Sequence, residues 1–241
     1  MRDQKIWAII PARSGSKGLP NKNILELAGI PLLGHTIKFA NKTGLFDKVL
    51  VSTDSEVYKS IAIKYGGWVP FLRSSSASQD NSMEEDILKD IDLKLSKKKI
   101  PKPDVIVWLR PTFPFRSKID LINALEQFLK SSSKVDSMRL IIPADPRLYF
   151  VNKGYLESYS FKSKYSMVRR QNFPETYNVF HTDIFWYKNI SLGKRFLGKK
   201  IDHFIIHKIC GIDIDLLEDF ELAEALLKTQ THFIQNYSSL K

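Results

Sequence analysis

The chain has 241 residues, a length that suits one domain with a substantial core, and 43% hydrophobic against 26% charged residues is ordinary for a globular protein. The net charge of +11 suits a nucleic-acid binder or an enzyme for polyanionic nucleotides, but lysine is scattered and only residues 97–99 form a basic run, which favours a solvated lysine-rich surface. One cysteine, Cys210, excludes an internal disulfide, and the N-terminal apolar run is too short for a signal peptide or a membrane span, so we expect a cytoplasmic protein.

Short apolar runs alternate with helical patterns along most of the chain. Runs bounded by turn residues predict buried strands at residues 5–11, 48–52, 104–109, 139–142 and 204–207. A first helix is predicted from Pro31 to a cap at Gly44, and a second begins with Asp54 or Ser55 as its N-cap.

Three further helical patterns each place apolar residues on one face: Met83, Ile87, Leu88 and Ile91; then Ile119, Ile122, Leu125, Phe128 and Leu129; and, after Asp215, Phe220, Ala223 and Leu227. Strands that alternate with helices in this way predict an α/β fold with a doubly wound, mostly parallel sheet.

The stretch from residue 143 to residue 190 interrupts this alternation. It is rich in aromatic and charged residues and has weak periodicity. We interpret it as an insertion that leaves the sheet as a lid, a β-rich flap or a subunit contact, since aromatics together with arginine are typical of interface cores. Ordinary packing of a small subdomain explains the same composition equally well. We therefore expect a single domain over residues 1–241 that carries this inserted subdomain.

The segment "ARSGSKGLPNKN" follows the first predicted strand, at the strand end where open α/β sheets bind ligands. Gly15 and Gly18 allow a tight turn that brings backbone N–H groups close to an anion. Hydroxyl donors and positive charges are added by Arg13, Ser14, Ser16, Lys17 and Lys22. The segment matches neither the Walker A pattern nor G-x-G-x-x-G. It indicates a phosphate-binding loop, with a basic surface loop as the alternative.

Polar residues also follow the next two predicted strands. In "VSTDSE", Asp54 precedes a helix, and capping that helix is the simplest interpretation. In "WLRPTFPFR", two prolines fix the backbone around Arg110, Thr112 and Arg116. Two arginines at a strand end suit recognition of a carboxylate or a phosphate, although a structural turn gives the same pattern.

The late segment "GIDIDLLED" carries two carboxylates, Asp213 and Asp215, which project on the same side of an extended chain. Such close carboxylates are tolerable when a divalent cation lies beside them; the alternative is that Asp215 caps the last helix while Asp213 is solvated. The five histidines are dispersed and show no triad signature, so no covalent mechanism is indicated. A phosphate loop with a carboxylate pair instead suggests metal-assisted transfer on a nucleotide.

These segments, with "LGHTI", "SASQDNS" and "RRQNFPE", stand in the order found in the acylneuraminate cytidylyltransferase family, which the chain resembles over nearly its whole length. The resemblance implies a nucleotide-diphospho-sugar transferase-like α/β fold. It implies that the anomeric hydroxyl of a sialic-acid-like nonulosonic acid attacks the α-phosphorus of CTP, giving CMP-sugar and pyrophosphate. It also implies a homodimer in which the insertion helps complete the neighbouring site, with neither nucleic acid nor a membrane as partner.

The same resemblance implies roles for individual residues. The residues expected to bind CTP are Arg13, Ser16, Lys17, Asn21, Lys22, Asn23 and Ser82. The residues expected at the sugar end are Arg110, Thr112, Arg116, Arg169 and Gln171. Asp213 and Asp215 would hold Mg²⁺, and together with Arg13, Lys17 and Lys22 they would form the catalytic set.

Two positions depart from the family pattern. Many sialic-acid members have Gln where this chain has Arg110, which favours a differently substituted acid such as a legionaminic-type sugar. An Asn-Gly pair that is usual in the family is replaced by Phe180–His181. This replacement leaves open a catalytically altered or silent member that binds nucleotide, and the transfer of another nucleotide or sugar acid is a further alternative.

Overall fold

The computed structural model describes residues 4–16, 18–131, 134–159, 169–229 and 231–237. Six strands form its central sheet: β1 (Ile6–Pro11), β2 (Lys48–Ser52), β3 (Val105–Leu109), β4 (Ser137–Pro143), β5 (Tyr177–Trp186) and β6 (Ile201–Ile205). The α-helices are α1 (Leu32–Thr43), α2 (Glu56–Lys64), α3 (Glu84–Lys97), α4 (Lys118–Lys130), α5 (Leu217–Thr229) and α6 (His232–Gln235). Two short hairpins lie outside this sheet, Glu26–Leu27 with Ile30–Pro31 and Tyr149–Asn152 with Tyr155–Ser158.

The strands of the sheet follow the order β6-β4-β5-β3-β1-β2. Strand β5 runs antiparallel to both of its neighbours, and the other paired strands are parallel. This arrangement confirms the predicted α/β fold with a mostly parallel sheet. Because β3, β1 and β2 are adjacent and parallel, their carboxyl ends meet at one edge, and the loops that follow them start there. None of the helices in the described ranges has the length and apolar character needed to cross a bilayer.

Helices cover both faces of the sheet, as the doubly wound prediction requires. Ile6 and Ile10 of β1 belong to one core cluster with residues of α1 and α4. Trp7 and Ile9 point to the other face and pack with residues of α3. A strand buried on both faces needs apolar residues at every position, which explains why β1 is a continuous apolar run rather than an alternating one.

Two of the predicted helical faces differ from the observed ones. Met83 precedes α3 and is 57% exposed, and Ile119 at the start of α4 is 61% exposed. The residues that α4 buries are Leu121, Ala124, Leu125 and Phe128. Neighbouring sets of apolar residues share helical spacing, and packing against the sheet selects one of them. The predicted cap of α1 is confirmed, since Gly44 ends the helix with a φ of 68°.

The predicted insertion is shorter than residues 143–190, because residues 177–186 form the interior strand β5. The sequence pattern hides this strand because its centre carries the buried polar residues His181, Thr182 and Asp183 instead of an apolar run. A register shift between Leu140 and Ile142 also interrupts its pairing with β4. The hairpin at residues 149–158 does stand outside the sheet, and most of its side chains are exposed.

Candidate active site

A cleft of about 700 Å³ opens at the sheet edge where β1 and β3 end. The predicted site residues that line it are Arg13, Ser16, Lys22, Asn23, Ser82, Arg110, Thr112 and Asp215. Segments far apart in the sequence therefore converge at the edge where open α/β sheets bind their ligands. Lys17, which was predicted to contact CTP, lies outside the described residues.

Gly18 joins the loop after β1 to the late carboxylate segment. A Cβ atom at this position would stand 2.8 Å from the carbonyl oxygen of Asp215, so a larger residue would displace that backbone. Lys22 makes a second contact to the same residue, with Nζ 2.5 Å from Oδ1 of Asp215. The Lys22 side chain is 12% exposed and that of Asp215 is 68% exposed, so the ion pair lies at the mouth of the cleft.

Asn21 and Asn23 shape the turn that carries Lys22. Asn21 adopts a φ of 54°, a left-handed conformation that asparagine tolerates better than most residues. Asn23 is buried, and its Nδ2 donates to the carbonyl oxygen of Arg13 at 3.1 Å. Asn23 therefore ties the two ends of the loop together and supports it, whereas Asn21 is exposed.

Asp54 anchors the loop after β1, a role that its position in the sequence did not reveal. Its two carboxylate oxygens accept hydrogen bonds from Ser14, one from the backbone N at 2.8 Å and one from Oγ at 2.9 Å. The interpretation of Asp54 as a helix cap is wrong, because the N-cap of α2 is Ser55, whose hydroxyl accepts from the backbone N of Tyr58. The serine next to it in the sequence was the second cap candidate.

The opposite rim of the cleft is formed by the segment "SASQDNS". Arg13 pairs with Asp80 of this segment at 2.8 Å. The hydroxyl of Ser82 donates to the carbonyl oxygen of Ser76 at 3.0 Å, which folds the segment back on itself. Arg13 and Ser82 thus both line the cleft, on segments that the ion pair of Arg13 with Asp80 joins.

Arg73 is a cleft residue that the sequence pattern missed. It is 6% exposed, and its guanidinium donates to the carbonyl oxygen of Ser52 at 2.6 Å and to the Ser52 hydroxyl at 3.0 Å. Burial lowers the pKa of Arg73 to about 10, and the carboxylates of Asp54 and Asp90 partly offset that effect. Only its position just before "SASQDNS" could have drawn attention to it. Arg73 adds a fixed positive charge to the floor of the cleft.

The two carboxylates of "GIDID" differ in environment. Asp213 is half-buried, and its Oδ1 is buried with no hydrogen-bond partner among the described residues. Burial, and then the charge of Asp215, raise the pKa of Asp213, while a hydrogen bond with Thr112 acts in the opposite direction. The backbone N of Ile214 donates to the carbonyl oxygen of Thr112 at 2.9 Å, which holds the pair against the turn after β3.

This pair fits a divalent cation, because a buried carboxylate oxygen without a partner next to a second carboxylate is the donor set that Mg²⁺ prefers. In the part of the chain that the structure describes, no group of three or more potential metal ligands occurs. Further ligands of such an ion would therefore have to come from substrate oxygens, backbone carbonyls or water.

Arg110 lies at the far wall of the cleft and is held by carboxylates of the protein. Its guanidinium contacts Oε1 of Glu84 at 2.9 Å and Oδ2 of Asp183 at 3.1 Å. Asp183 is 1% exposed, and its Oδ1 also accepts a hydrogen bond from Nε of Arg139 at 2.8 Å. Arg110 thus has a fixed orientation, with one carboxylate partner in the interior and one at the cleft.

Arg116 does not reach the cleft, although it was predicted to bind the sugar. It is 3% exposed, and its guanidinium donates to Oγ1 of Thr182 at 3.0 Å and to the carbonyl oxygen of Arg110 at 2.5 Å. Burial lowers the pKa of Arg116 to about 9. The arginine therefore stabilises the turn beneath the site, because a buried guanidinium bonded to a backbone carbonyl fixes that backbone.

Three other positions singled out by the sequence lie away from the cleft. Arg169 is exposed, and Gln171 lines a separate surface hollow with Tyr177. His181 is buried, within hydrogen-bonding distance of Thr182 Oγ1 and of a backbone carbonyl, and its burial lowers its pKa well below the usual value. The side chain of Phe180 lies outside the described part of the structure. His181 therefore belongs to the core and not to the lining of the cleft.

A basic loop held against Asp215 at the ligand-binding edge of an α/β sheet is an arrangement that suits a nucleotidyltransferase. The family model described as cytidylyltransferase matches residues 7–239, and the chain belongs to this family. It is 31% identical over 228 residues to the pseudaminic acid cytidylyltransferase of Campylobacter jejuni. The aligned residues cover 93% of this chain and 97% of that protein. It is 39% identical over 122 residues to the CMP-N,N'-diacetyllegionaminic acid synthase of Legionella pneumophila, covering 51% of this chain and 52% of that protein.

A solved structure confirms the fold. The CMP:2-keto-3-deoxy-manno-octonic acid synthetase complexed with CTP superposes with a TM-score of 0.70 and covers 94% of this chain and 100% of that chain. The identity between the two sequences is 19%, so the likeness concerns the fold alone. The predicted family and the predicted nucleotidyltransferase class are both confirmed.

Proposed function

We propose that the protein joins CTP to a sialic-acid-like nonulosonic acid and releases pyrophosphate. The observation that carries the proposal is the double contact of the loop after β1 with Asp215, through Gly18 and through Lys22. It joins the loop after β1, which we assign to the triphosphate, to Asp215 in one cleft, and Asp213 lies two residues away beside Thr112. The names of the relatives, which refer to pseudaminic and legionaminic acids, support the class of sugar acid.

In the proposed reaction, the anomeric hydroxyl oxygen of the sugar acid forms a bond to the α-phosphorus of CTP. The bond from that phosphorus to the bridging oxygen breaks, the hydroxyl proton passes to solvent, and pyrophosphate carries away the negative charge. Arg13 and Lys22, at the loop, are placed to neutralise that charge, and Arg73 adds to the positive potential of the cleft. Removing one such contact typically costs about 10²-fold in rate.

Asp213 and Asp215 are the residues that would hold Mg²⁺. When bound there, the ion supplies positive charge to the phosphate oxygens. The ion pair of Asp215 with Lys22 would keep the lysine next to such a site. The buried oxygen of Asp213, which has no partner among the described residues, is the feature that favours this assignment.

We further propose that the chain acts in the cytoplasm, where CTP is available, as a single nucleotidyltransferase domain that forms a homodimer. The hairpin at residues 149–158 exposes 71% of Val151, 77% of Tyr155 and 72% of Leu156, which is unusual for apolar side chains unless another surface covers them. Since Arg169 and Gln171 lie away from the cleft of their own chain, a role in sugar binding would require the cleft of a neighbour.

Light scattering tests the dimer. The native protein is expected to show twice the mass of one chain, and Val151→Glu with Leu156→Glu is expected to shift it to the mass of one chain. Val57→Glu, on a similarly exposed apolar residue of α2, is the matched control and is expected to leave the mass unchanged. A native protein with the mass of one chain would contradict the dimer.

The activity is tested by measuring pyrophosphate release from each of the four nucleoside triphosphates with a panel of pseudaminic, legionaminic and N-acetylneuraminic acids. Release is expected with CTP only, to require Mg²⁺, and to depend on one of the nine-carbon acids. Turnover of another nucleotide with a simpler sugar would contradict the proposal. Nucleotide binding without turnover on any acid would identify a silent member of the family.

A further inference from the structure

A second, strongly basic hollow lies at the opposite edge of the sheet from the catalytic cleft. It has a volume of about 820 Å³. Its charged lining consists of five cations and one carboxylate: Lys134, Lys188, Arg195, Lys199, Lys200 and Asp136. Residues 134–136 precede β4 and residues 199–200 precede β6, so the hollow stands at the amino ends of these parallel strands. The phosphate loop, in contrast, follows the carboxyl end of β1.

The wall of the hollow is fixed by the carboxylate at its centre. Oδ2 of Asp136 accepts the backbone N–H groups of Lys199 at 2.8 Å and Lys200 at 2.9 Å. The backbone N of Asp136 in turn donates to the carbonyl oxygen of Lys200 at 2.8 Å. Gly198, with a φ of +75°, allows this approach, since a Cβ there would stand 2.2 Å from Cβ of Asp136.

Two further hydrogen bonds connect the segments that carry the cations. The side-chain amide of Asn189 donates to the carbonyl oxygen of Asp136 at 3.0 Å. The hydroxyl of Ser137 donates to the carbonyl oxygen of Leu197 at 2.6 Å. The strand starts, the turn after β5 and the loop before β6 are thus held together. A site whose backbone is already ordered loses less entropy when a ligand binds.

The charge of the hollow is unbalanced. Five cations against one carboxylate leave a net charge of +4. The five cationic side chains are on exposed residues, and within the described ranges none of them forms an ion pair with a carboxylate. The backbone N–H groups that Asp136 accepts lower its pKa, so its carboxylate is ionised and already occupied. An anion that enters the hollow would relieve the repulsion among the cations.

The shape of the hollow selects the class of anion. Nucleic acid requires a basic stripe that follows a long backbone, and the basic residues here surround a single concavity. Its volume is in the range of small-ligand sites. We propose that this hollow, which we call the basic hollow, binds a small anion with two or more linked phosphates at a site separate from the catalytic cleft. The proposal does not depend on the reaction proposed above.

Calorimetric titration of the full chain with inorganic tripolyphosphate tests the proposal. We expect two binding sites on the native protein, one in the cleft and one in the basic hollow. The triple variant Lys134→Gln, Lys199→Gln, Lys200→Gln is expected to keep the cleft site and to weaken the other by at least about tenfold. Lys22→Ala is expected to weaken the cleft site alone. The matched control is Lys97→Gln, Lys98→Gln, Lys99→Gln, which removes the same charge from the exposed basic run and is expected to keep both sites.

Turnover and the urea midpoint of the triple variant report whether it folds, and both are expected to match the native protein.

A repeat titration with CTP separates the two sources of linked phosphate. Equal affinity for tripolyphosphate and CTP identifies the phosphates alone as the ligand, and tighter binding of CTP in the basic hollow identifies a nucleotide. A native protein with a single site, lost in Lys22→Ala, would overturn the proposal. Equal behaviour of the triple variant and its control would also overturn it. So would binding of a 20-nucleotide RNA that the triple variant loses while its tripolyphosphate titration is unchanged.

Discussion

The cleft has two walls that use their charged side chains differently. We call the loop after β1 together with Asp215 the loop wall, and Arg110 with its carboxylate partners the far wall. On the loop wall, Lys22 pairs with Asp215, a carboxylate that is 68% exposed. On the far wall, Arg110 pairs with Glu84 and with the buried Asp183. Exposed ion pairs contribute little and exchange readily, whereas breaking a buried pair leaves an uncompensated charge. The ion pair of the loop wall can therefore open to a ligand, as the proposed binding of a triphosphate requires, while the far wall keeps a fixed shape.

The largest effect is expected for Asp213→Asn. Pyrophosphate release should fall by at least about 10³-fold, since in the proposed reaction Asp213 would be a charged oxygen ligand of Mg²⁺. The free energy of unfolding should stay equal or rise, because the buried carboxylate has an oxygen without a partner in the described structure and the amide carries no charge. Kinetic assays and urea titration measure the two quantities. The control Glu221→Gln alters an exposed carboxylate on α5 and should change neither pyrophosphate release nor the free energy of unfolding. A large loss of stability in Asp213→Asn would indicate a structural role for Asp213 instead.

The next largest effect is expected for Asp183→Asn, on the far wall. The substitution removes the charge that two arginines share and should lower the free energy of unfolding by about 3 kcal/mol. Urea unfolding measures this loss. The matched control is Asp145→Asn, whose carboxylate pairs with Arg147 at the surface and should contribute at most about 1 kcal/mol. Equal losses in the two variants would show that the far wall is no more rigid than the surface.

Lys22→Met should lower kcat/KM for CTP by about 10²-fold, because it removes a positive charge from the loop wall and keeps the apolar stem. Stability should change by less than about 1 kcal/mol, since the partner carboxylate is mostly exposed. Steady-state kinetics at varied CTP measure the effect. Lys42→Met, an exposed lysine of α1, is the control with no expected change. An unchanged kcat/KM in Lys22→Met would show that the loop wall does not form part of the CTP site.

The sequence predicted the loop wall better than the far wall, and the reason lies in how each is built. Gly18, Lys22 and Asp215 are recognisable because backbone freedom, charge and carboxylate spacing are properties of short segments. The roles of Arg116 and Asp183 depend on pairs formed between β3, β4 and β5, which no single segment contains. The alternation of strands and helices predicted the sheet, but it missed β5 because that strand carries polar residues whose partners lie on neighbouring elements.

Asp54 also makes a contact between distant segments that the sequence could not predict, in this case within the loop wall. Its place before α2 is typical of a helix cap, and only the folded chain brings Ser14 to its carboxylate. Asp54→Ala should therefore raise KM for CTP by about tenfold, since the two hydrogen bonds that hold the loop, each contributing about 1 kcal/mol, are lost. Kinetics at varied CTP measure this change, and kcat should change less than KM because the loop residues themselves remain.

The neighbouring Ser55 provides the matched control for this prediction. Ser55→Ala removes the hydroxyl that caps α2 and should lower the free energy of unfolding by about 1 kcal/mol while leaving KM for CTP unchanged. If Asp54 acted only as the cap, the stability loss would appear in Asp54→Ala instead of Ser55→Ala, and both variants would keep the native KM for CTP. Because the two side chains are adjacent on one turn, opposite responses in KM and in unfolding would separate a contact that serves the CTP site from one that serves only the helix.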